Sequence, residues 1–186
     1  MEPDDTRRRL ELVPVGGVSR AVLAPLARAL RRRLAVRAAV GAPLPLYPEW
    51  VEGDGRCRST PLVDALLARA AAEGGDALRL GVAGCALAAL GGEAVFGEAA
   101  VGGFCAVLSL APLASGAGET ERLLLRRLVK EAVHELAHAA GLDHCADPAC
   151  VMYPSRDIAD TDRKAADFCT RCRTCLSPAT LDVART

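Results

Sequence analysis

Residues 134–145 read HELAHAAGLDHC, and this stretch contains all three histidines of the chain. A spacing of four residues places His134 and His138 on one face of an α-helix, one turn apart, where a single metal ion can contact both imidazoles. Glu135 projects beside such a metal rather than toward it, which suits a general base and not a ligand. The stretch therefore predicts a helix that carries a metal site.

His144 can join this site only if the helix ends before it, because six further helical residues would carry it about 9 Å along the axis. Gly141 permits that ending, since glycine adopts a left-handed conformation without a Cβ clash. With His144 as third ligand, a tetrahedral zinc ion keeps its fourth position for water, which is typical of a catalytic site. The expected reaction is hydrolysis of a peptide bond.

The cysteines predict a second metal site, because five of the eight fall between residues 145 and 175. Cys145 and Cys150 form one pair, and Cys169 and Cys172 form another, which together suit a tetrahedral structural zinc. Cys175 gives a second CxxC pair that overlaps the first, so the spacing leaves open which of the two pairs binds. A disulfide or free-thiol cluster is the alternative.

Three cysteines stand apart from this group, namely Cys57, Cys85 and Cys105. Scattered single cysteines are expected to be ordinary buried or free thiols.

The composition narrows the class of protein. A chain of 186 residues is long enough for one packed core. The formal net charge is zero and only 3% of the residues are aromatic, which disfavours a zinc-ribbon protein that binds nucleic acid. The opening residues MEPDDTRRRL lack the apolar core of a secretory signal, and no apolar stretch is long enough to span a bilayer. A cytoplasmic, monomeric protein without nucleic-acid or membrane partners is expected.

Hydrophobic periodicity predicts alternating strands and helices. Strands are expected at 11–15, 36–42 and 78–82 and within 94–99 (AVFGEA) and 104–111 (FCAVLSLA), and helices at 19–35, 59–73, about 119–140 and near 161–168. The helix at about 119–140 carries the histidines.

The segment HELAHAAGLDHC, followed by Cys150, Met152 and the Cys169/Cys172 pair, resembles the extended motif of the archaemetzincins, a branch of the metzincin zinc metallopeptidases. The upstream stretch GVAGC (81–85) and AVFGEA are more loosely similar. The resemblance implies an α/β (α+β) fold, in which a twisted mixed sheet is backed by helices and followed by a small zinc-stabilised C-terminal part. It also implies that AVFGEA is the edge strand that binds an extended peptide, and that Met152 forms the Met-turn beneath the histidines.

We therefore expect an N-terminal subdomain of residues 1–141 and a C-terminal subdomain of residues 142–186, with two zinc ions per chain, one catalytic and one structural. Because His144 and Cys145 are neighbours, the cysteine site should help to position the third histidine. The expected substrate is a peptide or small protein. The competing hypothesis is a catalytically weak or inactive module that binds peptides or proteins, but such a module has no need of a carboxylate like that of Glu135.

Overall fold

The secondary structure alternates between strands and helices in the computed structural model, which describes residues 7–74, 77–114, 120–176 and 181. The strands are β1 (Arg9–Val15), β2 (Arg37–Val40), β3 (Cys57–Arg58), β4 (Leu78–Ala83), β5 (Leu87–Ala88), β6 (Ala94–Val95), β7 (Gly97–Ala100) and β8 (Cys105–Ser109). The helices are α1 (Arg20–Arg33), α2 (Ser59–Glu73), α3 (Glu121–Ala139), α4 (Ile158–Arg163) and α5 (Thr170–Cys175), and a 3₁₀ turn spans Pro48–Trp50. No helix in the described ranges is long and apolar enough to cross a membrane.

The central sheet is mixed and has the strand order β2-β1-β4-β8-β7. The first four strands in this order run parallel, and β7 pairs antiparallel with β8 and forms one edge. Every residue of β4 is buried, as expected for a strand that is covered on both faces of a sheet. This architecture confirms the predicted α/β fold with a mixed sheet.

Helices cover both faces of the sheet. On one face, Leu12 and Leu80 pack with α1 and α3 in the largest buried cluster. On the other face, Val15 and Val107 pack with Leu62 of α2. The alternation of side chains along β1 and β8 thus separates the two layers, and α3 is held against the sheet beside the edge strand β7.

Two helix boundaries follow their capping residues. The side chain of Thr120 accepts a hydrogen bond from the Leu123 amide at 3.2 Å and caps α3, whereas the predicted start at Glu119 lies outside the described residues. The helix predicted near 161–168 is wrong in its bounds. The Asp157 side chain accepts from the Asp160 amide at 2.9 Å, so α4 begins at Ile158, and Lys164 already has an extended backbone.

The expectation that Cys57 and Cys85 are separate thiols is wrong, because the two form a disulfide. Their Cα atoms lie 6.2 Å apart although 28 residues separate them in sequence. A small second sheet of order β3-β5-β6 brings them together, since β3 begins at Cys57 and pairs with β5 just after Cys85. Cys105 is a free, buried thiol, as predicted.

Candidate active site

Helix α3 ends at a glycine, as the sequence predicts. Gly141 has a φ of 97°. Its amide donates to His138 O at 2.8 Å, and the Leu142 amide donates to Ala137 O at 2.9 Å. These two bonds form a Schellman motif, which closes a helix and turns the chain away from the helix axis. The turn carries His144 back to the histidines of α3.

The three imidazoles face one another at the end of α3. The ring centroids of His134 and His138 are 4.5 Å apart, and those of His138 and His144 are 4.7 Å apart. One ring nitrogen from each residue lies within 4.8 Å of the other two. His134 is buried whereas His144 is exposed. The histidine group is therefore open to solvent on the side of His144.

Backbone carbonyls set the tautomers of the two helix histidines. Nδ1 of His134 lies 2.8 Å from Val151 O, and Nδ1 of His138 lies 2.6 Å from Leu142 O. Because a carbonyl only accepts, Nδ1 carries the proton in both rings and Nε2 presents its lone pair. The two Nε2 atoms are 3.1 Å apart, close to the roughly 3.3 Å that separates two nitrogen ligands of a tetrahedral zinc. This donor set fits zinc.

The surroundings of the three histidines keep their imidazoles neutral. Burial lowers the pKa of all three histidines, most strongly that of His134, and the charge of Lys164 lowers the pKa of His134 and His144 further. Neutral imidazole is the form that binds a metal. The three histidines therefore stay in this form at pH values below the ordinary pKa of histidine.

Glu135 lies beside the histidines and beneath the edge strand. Only 5% of its surface is exposed, and burial, followed by the charge of Glu131, raises its pKa to about 8. A Cβ added to Gly97 of β7 would lie 2.6 Å from the Glu135 carboxyl carbon, so glycine is what allows this close approach. The Glu135 carboxyl group therefore packs directly against the edge strand, on the helix that also carries His134 and His138.

The predicted edge strand AVFGEA is divided between two sheets. Ala94 and Val95 form β6, and from Gly97 the chain forms β7 at the edge of the central sheet. Glu98 is anchored by hydroxyl groups at the start of α2, since Ser59 donates to its carboxylate and Thr60 donates at 3.1 Å. The N-terminal end of α2 thus fixes β7 in front of Glu135.

The second group of candidate ligands contains Cys145, Cys150, Cys169 and Cys172, whose sulfur atoms all lie within 4.8 Å of one another. The Cys145 and Cys169 sulfurs are 3.8 Å apart, and about 3.8 Å is the separation of two thiolates on a tetrahedral zinc. Cys175 is exposed and lies outside this group. The structure thus brings Cys169 and Cys172, and not Cys175, together with Cys145 and Cys150.

Backbone amides donate hydrogen bonds to sulfurs of this group, a contact that favours the thiolate form. The Cys169 amide donates to Cys150 Sγ at 3.3 Å, and the Cys172 amide donates to Cys169 Sγ at 3.5 Å. The latter hydrogen bond is the main reason why the pKa of Cys169 falls to about 7. Burial raises the pKa of Cys150 and Cys172, so a bound cation would favour the thiolate form of these two residues.

Met152 connects the two groups. It is completely buried in the large core cluster and lies in a turn that is closed by the Tyr153 amide on Cys150 O at 3.0 Å. Its carbonyl accepts from the Cys145 amide at 2.9 Å, and the preceding carbonyl, of Val151, is the one that orients His134. One turn thus contacts both candidate metal sites.

Sequence reasoning missed a buried ion pair behind the histidines. Lys164 is fully buried, and its Nζ lies 3.1 Å from Glu131 Oε1, which also accepts from Thr161 Oγ1 at 2.8 Å and Ser155 Oγ at 3.0 Å. Lys164 also donates to Tyr153 O at 3.3 Å. In the polar stretch SRDIADTDRK nothing distinguishes Lys164 from a solvated lysine, so no sequence signal marks it.

This pair joins α3 to the segment after the Met152 turn. Glu131 precedes His134 by one helical turn, so a fixed Glu131 restrains the face of α3 that carries the ligands. Arg127 strengthens the same junction with a bidentate pair to Asp162 at 2.7 and 2.8 Å. The C-terminal segment is therefore attached to α3 by charged contacts as well as by its apolar core.

A mixed sheet with its edge strand beside a helix, an HExxH pair with a third histidine after a glycine turn, and a buried methionine turn together define the metzincin class. Residues 80–177 match peptidase family M54, and the chain belongs to this family. Its matches include the archaemetzincins of Archaeoglobus fulgidus, 47% identical over 93 residues, and Pyrobaculum aerophilum, 60% identical over 47 residues. The first match covers 50% of this chain and 56% of the relative, and the second covers 25% and 30%.

Solved structures extend the similarity over most of the chain. The crystal structure of the Archaeoglobus fulgidus archaemetzincin complexed with malonate has a TM-score of 0.74 at 32% identity, covering 89% of this chain and 98% of that one. The Methanopyrus kandleri archaemetzincin has a TM-score of 0.78 at 30% identity, covering 92% and 94%. These matches confirm the resemblance that the motif indicated.

Proposed function

We propose that the chain is a zinc-dependent metallopeptidase that hydrolyses peptide bonds in peptides or small proteins. The observation that carries this proposal is the position of Glu135, a buried residue that directly follows His134 on α3 and whose carboxyl group packs against Gly97 of the edge strand. A peptide that pairs with β7, the edge strand of the described sheet, would lie close to this carboxyl group. Membership of peptidase family M54 supports the same reaction.

His134, His138 and His144 are proposed as the ligands of the catalytic zinc. Zinc bound there would act as a Lewis acid and lower the pKa of water in its open position. The carbonyls of Val151 and Leu142 orient two of these ligands, and such outer contacts commonly strengthen metal binding.

Glu135 is proposed as the general base. Its high pKa, about 8, results from burial, and a cation at the histidines would lower that pKa and favour the carboxylate. The carboxylate then takes a proton from the attacking water and delivers it to the leaving amine. Glu135 forms no hydrogen bond with another side chain in the described ranges, so its oxygens are available for this transfer.

Cys145, Cys150, Cys169 and Cys172 are proposed to hold a second, structural zinc, since all four positions of a tetrahedral ion would be filled. The proposed division into residues 1–141 and 142–186 then has a physical meaning. The first part supplies the sheet and α3, and the second supplies His144, the Met152 turn and the cysteine ligands.

The test is a peptidase assay on zinc-loaded protein, with a mixed library of peptides that have free or acetylated N-termini. We expect Glu135→Gln to reduce kcat by a factor of at least about 100 while zinc content stays unchanged, because the variant keeps the shape and loses the base. The matched control is Glu93→Gln, at an exposed site in the loop before β6. Peptide binding without turnover in the wild type would favour the binding module and contradict the proposal.

A further inference from the structure

A cavity of about 830 Å³ lies between α1, α3 and the segment around the end of α4. No histidine or cysteine lines it, so it is distinct from both candidate metal sites. Seven of its lining residues are basic and only two are acidic, although the formal net charge of the whole chain is zero. Positive charge is therefore concentrated at this cavity.

Both acidic residues of the cavity are already paired. Asp167 pairs with Arg33, and Asp162 pairs with Arg127 at 2.7 Å. By contrast, the side chains of Arg32, Arg122 and Arg126 make no ion pair or hydrogen bond with the described part of the chain. Three guanidinium groups thus line the cavity with no counter-charge paired to them among the described residues.

The basic residues of α3 are spaced in a way that weakens the helix. Arg122, Arg126 and Lys130 follow one another at intervals of four residues, which places them on one helix face. Like charges at this spacing repel each other and destabilise a helix, and solvated helix faces usually alternate the sign. An anion bound over this face would remove the repulsion.

Lys130 supplies an independent indication at the floor of the cavity. It is 7% exposed, and its ammonium group donates to Thr161 O at 2.8 Å and Asp162 O at 2.9 Å. It forms no ion pair with a carboxylate among the described residues. Burial, followed by the charge of Arg126, lowers the pKa of Lys130. Its hydrogen-bond partners are carbonyls, and the charges of Asp162 and Glu131 oppose the fall in its pKa only in part, so this buried cation is incompletely compensated.

We propose that this cavity binds a small anion that carries phosphate groups, held by Arg32, Arg122 and Arg126 above Lys130. Guanidinium groups bind phosphate oxygens in a bidentate manner, and a compact ammonium beneath them adds a point charge. The volume is within the range of small-ligand sites. This site does not depend on the proposed peptidase activity.

The experiment is isothermal titration calorimetry of zinc-loaded protein with pyrophosphate at low salt. We expect one site per chain, and we expect the dissociation constant to rise about tenfold or more in Arg126→Gln and in Arg122→Gln, since each loses charge-assisted hydrogen bonds. The matched control is Arg28→Gln, an exposed arginine on α1 that does not line the cavity. Circular dichroism verifies that each variant is folded.

Three results would overturn the proposal: no binding to the wild type, equal weakening in Arg28→Gln, or loss of binding in His138→Ala, which would assign the anion to the histidine site. Tighter binding of an acidic heptapeptide than of pyrophosphate at the same residues would replace the small anion with an acidic protein segment. Binding that survives His138→Ala and weakens only with the cavity arginines would support the proposal.

Discussion

The histidine group and the cysteine group differ in how the protein holds them. Two of the three histidines are on one continuous helix, and backbone carbonyls orient their rings. The four cysteines come from turns and from the start of the short helix α5, and mainly amide-to-sulfur contacts position them. The helix and its orienting carbonyls therefore preform most of the histidine site, whereas we expect the cysteine site to depend on a bound zinc.

His144 is linked to both groups. This residue is the only histidine of the group outside α3, and it is followed by a ligand of the cysteine group, Cys145. The position of the His144 imidazole should therefore depend on the turns that hold the cysteine group.

The largest effect is expected from Cys172→Ala, which removes one of the four proposed ligands of the structural zinc. Binding of a structural zinc is worth on the order of 10 kcal/mol in small zinc domains, so the segment from Cys145 to Cys175 should lose its fixed structure. We expect the affinity of the histidine site for zinc to fall at least about tenfold, as measured by competition with a chromophoric chelator. Cys175→Ala is the control, and an unchanged affinity in Cys172→Ala would refute the coupling.

A smaller effect is expected from Lys164→Met, which leaves Glu131 buried without its partner. Breaking a buried ion pair costs about 3–5 kcal/mol, and this loss should appear in the free energy of unfolding measured with urea. The double variant Lys164→Met/Glu131→Gln should recover part of it, because the unpaired charge is gone. If the single variant were as stable as the wild type, the pair would not join α3 to the C-terminal segment.

A third effect, small over any single pH unit, is the pH dependence that Glu135 gives to stability in protein that carries zinc at the cysteines alone. A folded-state pKa of about 8, compared with 4.5 for the ordinary group, means that the native state keeps a proton that the unfolded chain releases. The free energy of unfolding should therefore fall as the pH rises from about 4.5 to about 8, by at most about 1.4 kcal/mol per pH unit. Glu135→Gln should lack this slope, and parallel pH profiles of the two proteins would contradict a buried carboxyl.

Local sequence patterns account for much of the fold and for the candidate ligands. The cap at Ser19 accepts from the Ala21 amide at 3.1 Å, and the glycine turn at Gly141 occurs as predicted, because both depend on a few adjacent residues. The spacing of His134 and His138 brings their rings together for the same reason. The Cys169/Cys172 pair is equally local, although choosing it over Cys175 required the structure.

The features that sequence reasoning missed depend on distant contacts. The Cys57–Cys85 disulfide exists because β3 pairs with β5 across 28 residues, and nothing near either cysteine indicates its partner. Lys164 is buried because it follows the end of α4 and its side chain pairs with Glu131 of α3. The closeness of Gly97 to Glu135 likewise results from the packing of an edge strand against a helix.

The most direct test of the account is the number of zinc ions per chain, measured by elemental mass spectrometry on wild type and on His138→Ala. We predict two zinc ions in the wild type and one in the variant, since only the histidine site should empty. A single zinc in the wild type that persists in His138→Ala would place the metal at the cysteines alone and contradict a catalytic zinc at the histidines.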